Sequence, residues 1–300
     1  NELDNLKRQG LLMSEDIHVS HVAENLKEPS LKALCLNICL YCNFNCRYCF
    51  AESNISGKRI NHMDRQTAAA AIDFLLKYSG KHRNLEVDFF GGEPLLNFDT
   101  VKDTVEYARS VEAKYGKLFH FTITTNASLL DSEKIDYINR NMDNVVLSID
   151  GRRETNDRMR RYRDGRGTYD DIFNNIRELA WLREEGKKEY FVRGTITRYN
   201  LDFAADVISL ADSGIRSISL EPVLSCPDKE YALTEELLPA VFEEYEKLAG
   251  IMAERRKSKK NDFRFYHFEM DVYNGPCVYK RLTGCGAGWE YLSVTPDGSV

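Results

Sequence analysis

The chain has 300 residues, with 41 Lys plus Arg against 47 Asp plus Glu and a formal net charge of −6. That balance argues against a nucleic-acid binder, no apolar run is long enough to span a membrane, and no signal-peptide pattern is present. Eight cysteines without an export signal point to a reducing cytosol and to metal ligation rather than disulfides.

Residues 1–30 read as a short polar helix and a linker passing Pro29, the tail of an upstream, peptide-recognition domain. From residue 31 strand-like and helix-like runs alternate. Strands are predicted over Leu31–Cys39, Leu85–Phe90, Phe119–Thr125, Asn144–Ile149, Tyr190–Thr197 and Ser217–Val223. Helices are predicted over Asp64–Tyr78, Thr100–Tyr115, Asp131–Asn141, Thr168–Glu185, Leu201–Asp212 and Thr234–Lys257. Asp64 can cap the first of these, and Gly186 and Gly214 follow helix ends. Six βα units over 31–262 imply an α/β fold with a parallel sheet and right-handed crossovers. Six are too few for a closed eight-stranded barrel. A partial (β/α)6 TIM-type barrel and an open doubly wound sheet both fit the count. From about Phe263 the rhythm stops, so 263–300 reads as the truncated start of an appended region. The chain does not begin with Met, and Thr295–Val300 looks like a hairpin turn whose second strand is only beginning; a fragment of a longer protein is expected.

Between the first strand and the first helix stands Cys42-Asn-Phe-Asn-Cys46-Arg-Tyr-Cys49. Three thiolates so close can hold three irons of a [4Fe–4S] cluster and leave the fourth iron open for chemistry. A zinc site would want a fourth ligand, often in a second pair. Cys35, Cys39 and Cys42 repeat the same spacing, but Cys35 and Cys39 lie in the apolar run Leu31–Leu40. Ligands four residues apart on an extended strand would be separated by more than roughly 10 Å, at roughly 3.3 Å per residue. Cys35 and Cys39 are therefore expected to be packed core thiols.

The three-cysteine loop resembles that of the radical S-adenosylmethionine (SAM) superfamily. The resemblance implies that the open iron chelates the amino and carboxylate groups of SAM, and that one electron cleaves SAM to methionine and a 5′-deoxyadenosyl radical. It also implies the partial (β/α)6 barrel. Polar residues end the later strands, where parallel α/β folds place ligands. Phe90-Gly91-Gly92-Glu93-Pro94 resembles the family's GGEP motif, whose backbone meets the methionyl amino group; Glu93 can accept from an ammonium. Thr125 and Asn126 end the third strand, and Ser148 the fourth, with Asp150 just beyond. The resemblance gives Ser148 to the ribose or carboxylate, Arg193 to the carboxylate, Tyr48 to the adenine edge, and Glu221, Pro222 and Val223 to the backbone segment passing the adenine. The bland alternative for Arg193 is a surface salt bridge.

Cys277 and Cys285 stand in Gly-Pro-Cys-Val-Tyr-Lys-Arg-Leu-Thr-Gly-Cys-Gly. This resembles the start of a SPASM domain and implies auxiliary [4Fe–4S] clusters in the complete protein. With Gly91–Phe98 and Tyr279–Gly286, the chain resembles most the maturases of six-cysteine (SCIFF) peptides, which form thioethers. That implies a cysteine-containing precursor peptide as partner and an electron donor such as flavodoxin or ferredoxin. A sulfatase-maturase-like oxidation of a Cys or Ser side chain is the alternative enzyme, and an iron–sulfur electron carrier is the rival class. No base on the substrate side is identifiable. Cys226 reads as a free loop thiol. The basic stretch from Arg152 to Arg166 reads as a solvated loop or as a clamp for an acidic peptide.

Overall fold

The structure, a computed structural model, describes residues 2–9, 30–49, 62–269 and 286–300. Cys277 and Cys285 lie outside the described residues. The first helix, α1 (Glu2–Arg8), precedes a sheet of eight parallel strands. These are β1 (Ala33–Cys39), β2 (Asn84–Gly91), β3 (Leu118–Thr125), β4 (Asn144–Ser148), β5 (Glu189–Ile196), β6 (Ser217–Pro222), β7 (Arg264–Phe265) and β8 (Tyr291–Val294). The crossover helices are α2 (Arg65–Tyr78), α3 (Phe98–Tyr115), α4 (Ser132–Asn141), α5 (Arg153–Met159), α6 (Tyr169–Glu185), α7 (Phe203–Asp212) and α8 (Leu238–Ser258).

The strand order is β7-β6-β5-β4-β3-β2-β1-β8. From β1 to β7 it follows the chain without reversal. Right-handed crossovers then send the helices to one face, whereas a doubly wound sheet needs a reversal to cover both. Burial agrees. Leu34, Leu36, Val87, Phe89, Phe119, Phe121, Val145, Val192 and Leu220 are fully buried against the helices. The alternate positions carry Asn37, Asp88, Thr122, Ser148, Arg193 and Glu221, which retain exposure. An apolar outer face with a polar, open inner face is the partial barrel, not the doubly wound sheet.

The predicted elements are present with ends shifted by a few residues. Asp64 caps α2 by accepting from the Thr67 N–H at 2.7 Å. α2 buries Ala68, Ala71, Ile72, Leu75 and Leu76, the 3–4 spacing of one helical face. Two strands fall in the stretch assigned to an appended region. β7 pairs with β6, and β8 pairs in parallel with β1 from Ala33↔Tyr291 to Leu36↔Val294. They extend the main sheet at its edges. The terminal turn is closed by the Thr295 N–H to the Ser299 carbonyl and the Gly298 N–H to the Thr295 carbonyl, both 2.9 Å. The basic stretch after β4 is also more ordered than a loop, since it contains α5.

Candidate active site

A cavity of about 330 Å³ opens at the C-terminal ends of the strands. Cys42, Cys46 and Cys49 line it, as do Tyr48, Gly91, Gly92, Glu93, Thr125, Asn126, Ser148, Arg193, Glu221, Pro222 and Val223. Residues from five strands and the cysteine loop thus meet in one place, within the usual size of a small-molecule site.

The cysteine loop is held from below by the segment that ends α5. The Asn45 N–H donates to the Arg161 carbonyl at 2.7 Å, and the Arg47 N–H to the Met159 carbonyl at 2.9 Å. Phe44 is buried and packs edge-on against Tyr162, with ring centroids 4.9 Å apart. The Cys42 sulfur accepts from the Phe44 N–H at 3.4 Å and from the Asn126 amide at 3.6 Å. Cys35 and Cys39 are buried in β1 as expected of core thiols, and the Cys39 thiol donates to the Tyr41 carbonyl at 3.3 Å. Cys226 is exposed in its loop.

The glycine turn has a structural reason that the sequence did not disclose. Gly91 has φ +123°, and a Cβ there would sit 2.3 Å from the Cys39 carbonyl oxygen. A Cβ on Gly92 would sit 2.3 Å from the Tyr41 carbonyl oxygen and 2.9 Å from the Cys42 nitrogen. The close neighbour that these glycines admit is the backbone leading into the cysteine loop. The Gly92 N–H (2.6 Å) and the Glu93 N–H (3.0 Å) donate to the Cys39 and Tyr41 carbonyls.

The Glu93 side chain, which could accept from an ammonium, already has donors within the protein. It is fully buried and accepts from the Leu95 N–H (3.1 Å), the Thr125 hydroxyl (2.7 Å) and the Asn126 N–H (2.7 Å). Burial pushes its carboxyl up to about 7. Both oxygens therefore brace the ends of β2 and β3 against each other.

Two hydrogen-bonded groups join residues that the sequence reading named to residues that it missed, Arg160 in one and Ser219, Tyr245 and His267 in the other. One joins Tyr48, Asp150 and Arg160. The Tyr48 hydroxyl donates to both Asp150 oxygens at 2.7 and 2.8 Å, and Arg160 Nη1 donates to the Tyr48 oxygen at 3.1 Å. Arg160 is buried, lines the cavity and has no hydrogen-bond partner for Nε among the described residues. The other runs along the opposite wall. Glu221 accepts from Ser219 (2.6 Å) and His267 Nε2 (2.9 Å), His267 Nδ1 meets the Tyr245 hydroxyl at 2.7 Å, and Arg193 lies 3.8 Å from Glu221. The His267 hydrogen bond holds the Glu221 carboxyl at about 2. Arg193 both lines the cavity and pairs loosely with an acid, so the functional and surface-pair readings share one geometry.

Three of the seven arginines between Arg152 and Arg166 face the chain's own acids. Arg152 pairs with Asp202 and Asp206, Arg153 with Asp170, and Arg166 with Asp171. These contacts occupy three of the seven charges that an acidic-peptide clamp would use.

Among the described residues, no three His, Cys, Asp or Glu side chains are arranged to hold a single metal ion. Cluster thiolates each take a separate iron, so they line a cavity rather than converge on one point. The donor set fits that use. Burial pushes the Cys46 thiol up to about 12, a value that bound iron would lower by favouring the thiolate. N–H groups already point at the Cys42 sulfur.

Fold and site together define a partial-barrel α/β protein with a thiol-rich loop over a nucleoside-sized cavity. The chain belongs to the Radical SAM superfamily, whose sequence pattern matches residues 36–195. It is 31% identical to an uncharacterized protein of Methanocaldococcus jannaschii, over 73% of this chain and 70% of that one. It is 29% identical to the radical SAM cyclopropyl synthase TigE of Paramaledivibacter caminithermalis, over 61% of this chain and 39% of that one. Among solved structures, anSMEcpe with bound AdoMet and Kp18Cys peptide superposes with a TM-score of 0.67 at 20% identity, covering 80% of this chain and 65% of that one. Streptococcus suis SuiB bound to precursor peptide SuiA gives 0.64 at 14% identity, covering 98% and 69%. The chain thus spans well under half of the cyclopropyl synthase and about two thirds of the solved structures.

Proposed function

We propose that this chain is the core of a peptide maturase that joins a cysteine sulfur to a carbon of a ribosomally made, cysteine-containing precursor peptide. The observation that carries the reading is the convergence of the three-cysteine loop with the polar ends of β2 to β6 around one cavity. Solved structures of similar fold with bound peptides, anSMEcpe with Kp18Cys and SuiB with SuiA, support the substrate class. When bound, the reduced cluster and SAM supply a 5′-deoxyadenosyl radical, a one-electron hydrogen abstractor. Cys42, Cys46 and Cys49 each hold one iron. The backbone at Gly91, Gly92 and Glu93 faces the methionyl amine. Ser148 and Arg193, with the buried Arg160, take the ribose and carboxylate end. Tyr48 and the Glu221–Val223 segment flank the adenine. An electron donor such as flavodoxin or ferredoxin, a cytoplasmic setting, and auxiliary clusters held by Cys277 and Cys285 with later cysteines complete the proposal. Among the described residues no helix is long and apolar enough to cross a membrane.

The second reading, a sulfatase-maturase-like oxidation of a Cys or Ser side chain, needs a base at the cavity. Glu221, hydrogen-bonded to His267, is a carboxylate at that cavity, but a carboxyl lowered to about 2 is a weak proton acceptor, which counts against this reading. The test is anaerobic reconstitution with iron, sulfide, SAM and dithionite, together with the precursor peptide. Thioether formation gives 5′-deoxyadenosine, a loss of two hydrogens and one thiol fewer per cross-link, with no aldehyde. A hydrazide-reactive aldehyde moves the assignment to the second reading. No 5′-deoxyadenosine from a fully loaded cluster would leave only an electron carrier.

A further inference from the structure

We infer that Asn126 is a positioning residue for the cysteine loop, whose side-chain amide is locked onto the Cys42 sulfur and raises the reduction potential of a cluster held there. The inference rests on the reading of Cys42 as an iron ligand, and it gives Asn126 a role other than contact with SAM.

The orientation of the amide is decided by its neighbours. Asn126 Oδ1 accepts from the Ser128 N–H at 3.0 Å and from the Ser128 hydroxyl at 2.6 Å. A backbone N–H can only donate, so the carbonyl end of the amide must face Ser128 and the NH2 end must face away. That end has two hydrogens and two acceptors: Asn43 Oδ1 at 2.9 Å and the Cys42 sulfur at 3.6 Å. Asn43 Nδ2 closes the ring by donating to the Ser128 hydroxyl oxygen at 2.8 Å. The Asn126 backbone is fixed in turn, because its N–H donates to the buried Glu93 carboxylate at 2.7 Å. Asn126 itself is buried. A chain of held groups therefore runs from Glu93 through Asn126 to Cys42, and it aims one amide hydrogen at one sulfur.

The physical consequence follows from charge. Reducing a cluster adds an electron, part of which resides on the ligand sulfurs. An N–H aimed at a sulfur stabilises the more negative state more than the less negative one, so it favours reduction. Electron entry into the cluster precedes every turnover of a SAM-cleaving enzyme. A hydrogen bond that eases it bears on the rate without touching substrate.

The experiment compares wild type with N126A and N126D after anaerobic reconstitution. N126A removes the N–H without adding charge; N126D keeps the shape but puts a carboxylate oxygen beside the sulfur. Iron per chain, the apo-protein melting temperature and the cluster midpoint potential are measured, the last by EPR-monitored titration without SAM or peptide. The expected result is a midpoint shifted to more negative values in N126A and further in N126D, with iron content close to wild type. If N126A fails to fold, the isosteric N126D carries the test alone. Loaded, folded variants with the wild-type midpoint would overturn the inference. A wild-type protein that takes up no cluster would overturn the reading beneath it, which is a separate and distinguishable failure.

Discussion

The Tyr48 hydroxyl donates to both carboxylate oxygens of Asp150, at 2.7 and 2.8 Å, across 102 residues of chain. Tyr48 sits in the cysteine loop, and Asp150 follows the end of β4. This contact ties the loop to the sheet at the site itself, while Arg160 closes it from a third direction. Burial pushes the Asp150 carboxyl up to about 6, so the acid depends on its few donors.

Tyr48→Phe should therefore lower stability by about 1–3 kcal/mol, the cost of leaving buried polar groups short of a partner. The measurement is the urea midpoint of the apo protein at a constant m-value. An unchanged midpoint would show that the loop is held elsewhere.

Replacing Cys35 and Cys39 together with Ala should leave the iron content after reconstitution at the wild-type level. Both thiols are buried in β1, so the cost should be ordinary core loss of about 1–2 kcal/mol. Ala at any of Cys42, Cys46 or Cys49 should abolish the SAM-responsive cluster. Loss of that cluster in the Cys35/Cys39 double variant would reverse the register.

Gly92→Ala would drive a Cβ to within 2.3 Å of the Tyr41 carbonyl oxygen. The backbones there cannot yield cheaply, because the Glu93 N–H already donates to that carbonyl. We expect about 1–3 kcal/mol of destabilisation from overpacking and poor cluster retention, because the strain falls on the entry to Cys42. Differential scanning calorimetry and iron analysis check both halves.

Arg193→Ala should weaken SAM binding about tenfold and Arg160→Ala about a hundredfold, spanning the usual cost of a lost charge-assisted contact. The order follows from environment. Arg160 is buried, whereas the Arg193 side chain is 49% exposed beside Glu221, where water screens its charge. Calorimetric titration of the reconstituted proteins decides it, and equal affinities in wild type and Arg160→Ala would remove Arg160 from the site.

Glu221 gives a pH dependence of defined sign. Its carboxyl is lowered from an ordinary value of 4.5 to about 2, first by the His267 hydrogen bond and further by Ser219. A depressed carboxyl contributes stability that is fully present above 4.5 and is lost as pH falls through 2. The group is partly exposed, so the contribution is modest and screened by salt. Glu221→Gln should reduce apo-protein stability at pH 5 and progressively less at pH values of about 4 and 3, as read from urea midpoints. A gap that stays constant over this range would detach Glu221 from His267.

Much of this protein is local in the chain and was therefore determined by the sequence alone. Asp64 caps α2 because its acceptor lies three residues from the N–H it serves. The alternation of βα units and the polar residues at strand ends are short-range patterns. So are the strand that buries Cys35 and Cys39 and the loop that brings Cys42, Cys46 and Cys49 to the cavity. Tertiary structure decided what depends on distant partners. The uninterrupted strand order chose the partial barrel over the doubly wound sheet. β8 joined β1 across the length of the chain. The Glu93 carboxylate bonded to Thr125 and Asn126, the Asn126 amide turned to the cysteine loop, and Arg160, read as part of a solvated basic stretch, became a buried cation in the cavity wall. No local propensity encodes such contacts. A side chain's chemistry shows what it can bond, and only the packed sheet places one group within 3 Å of another more than a hundred residues away.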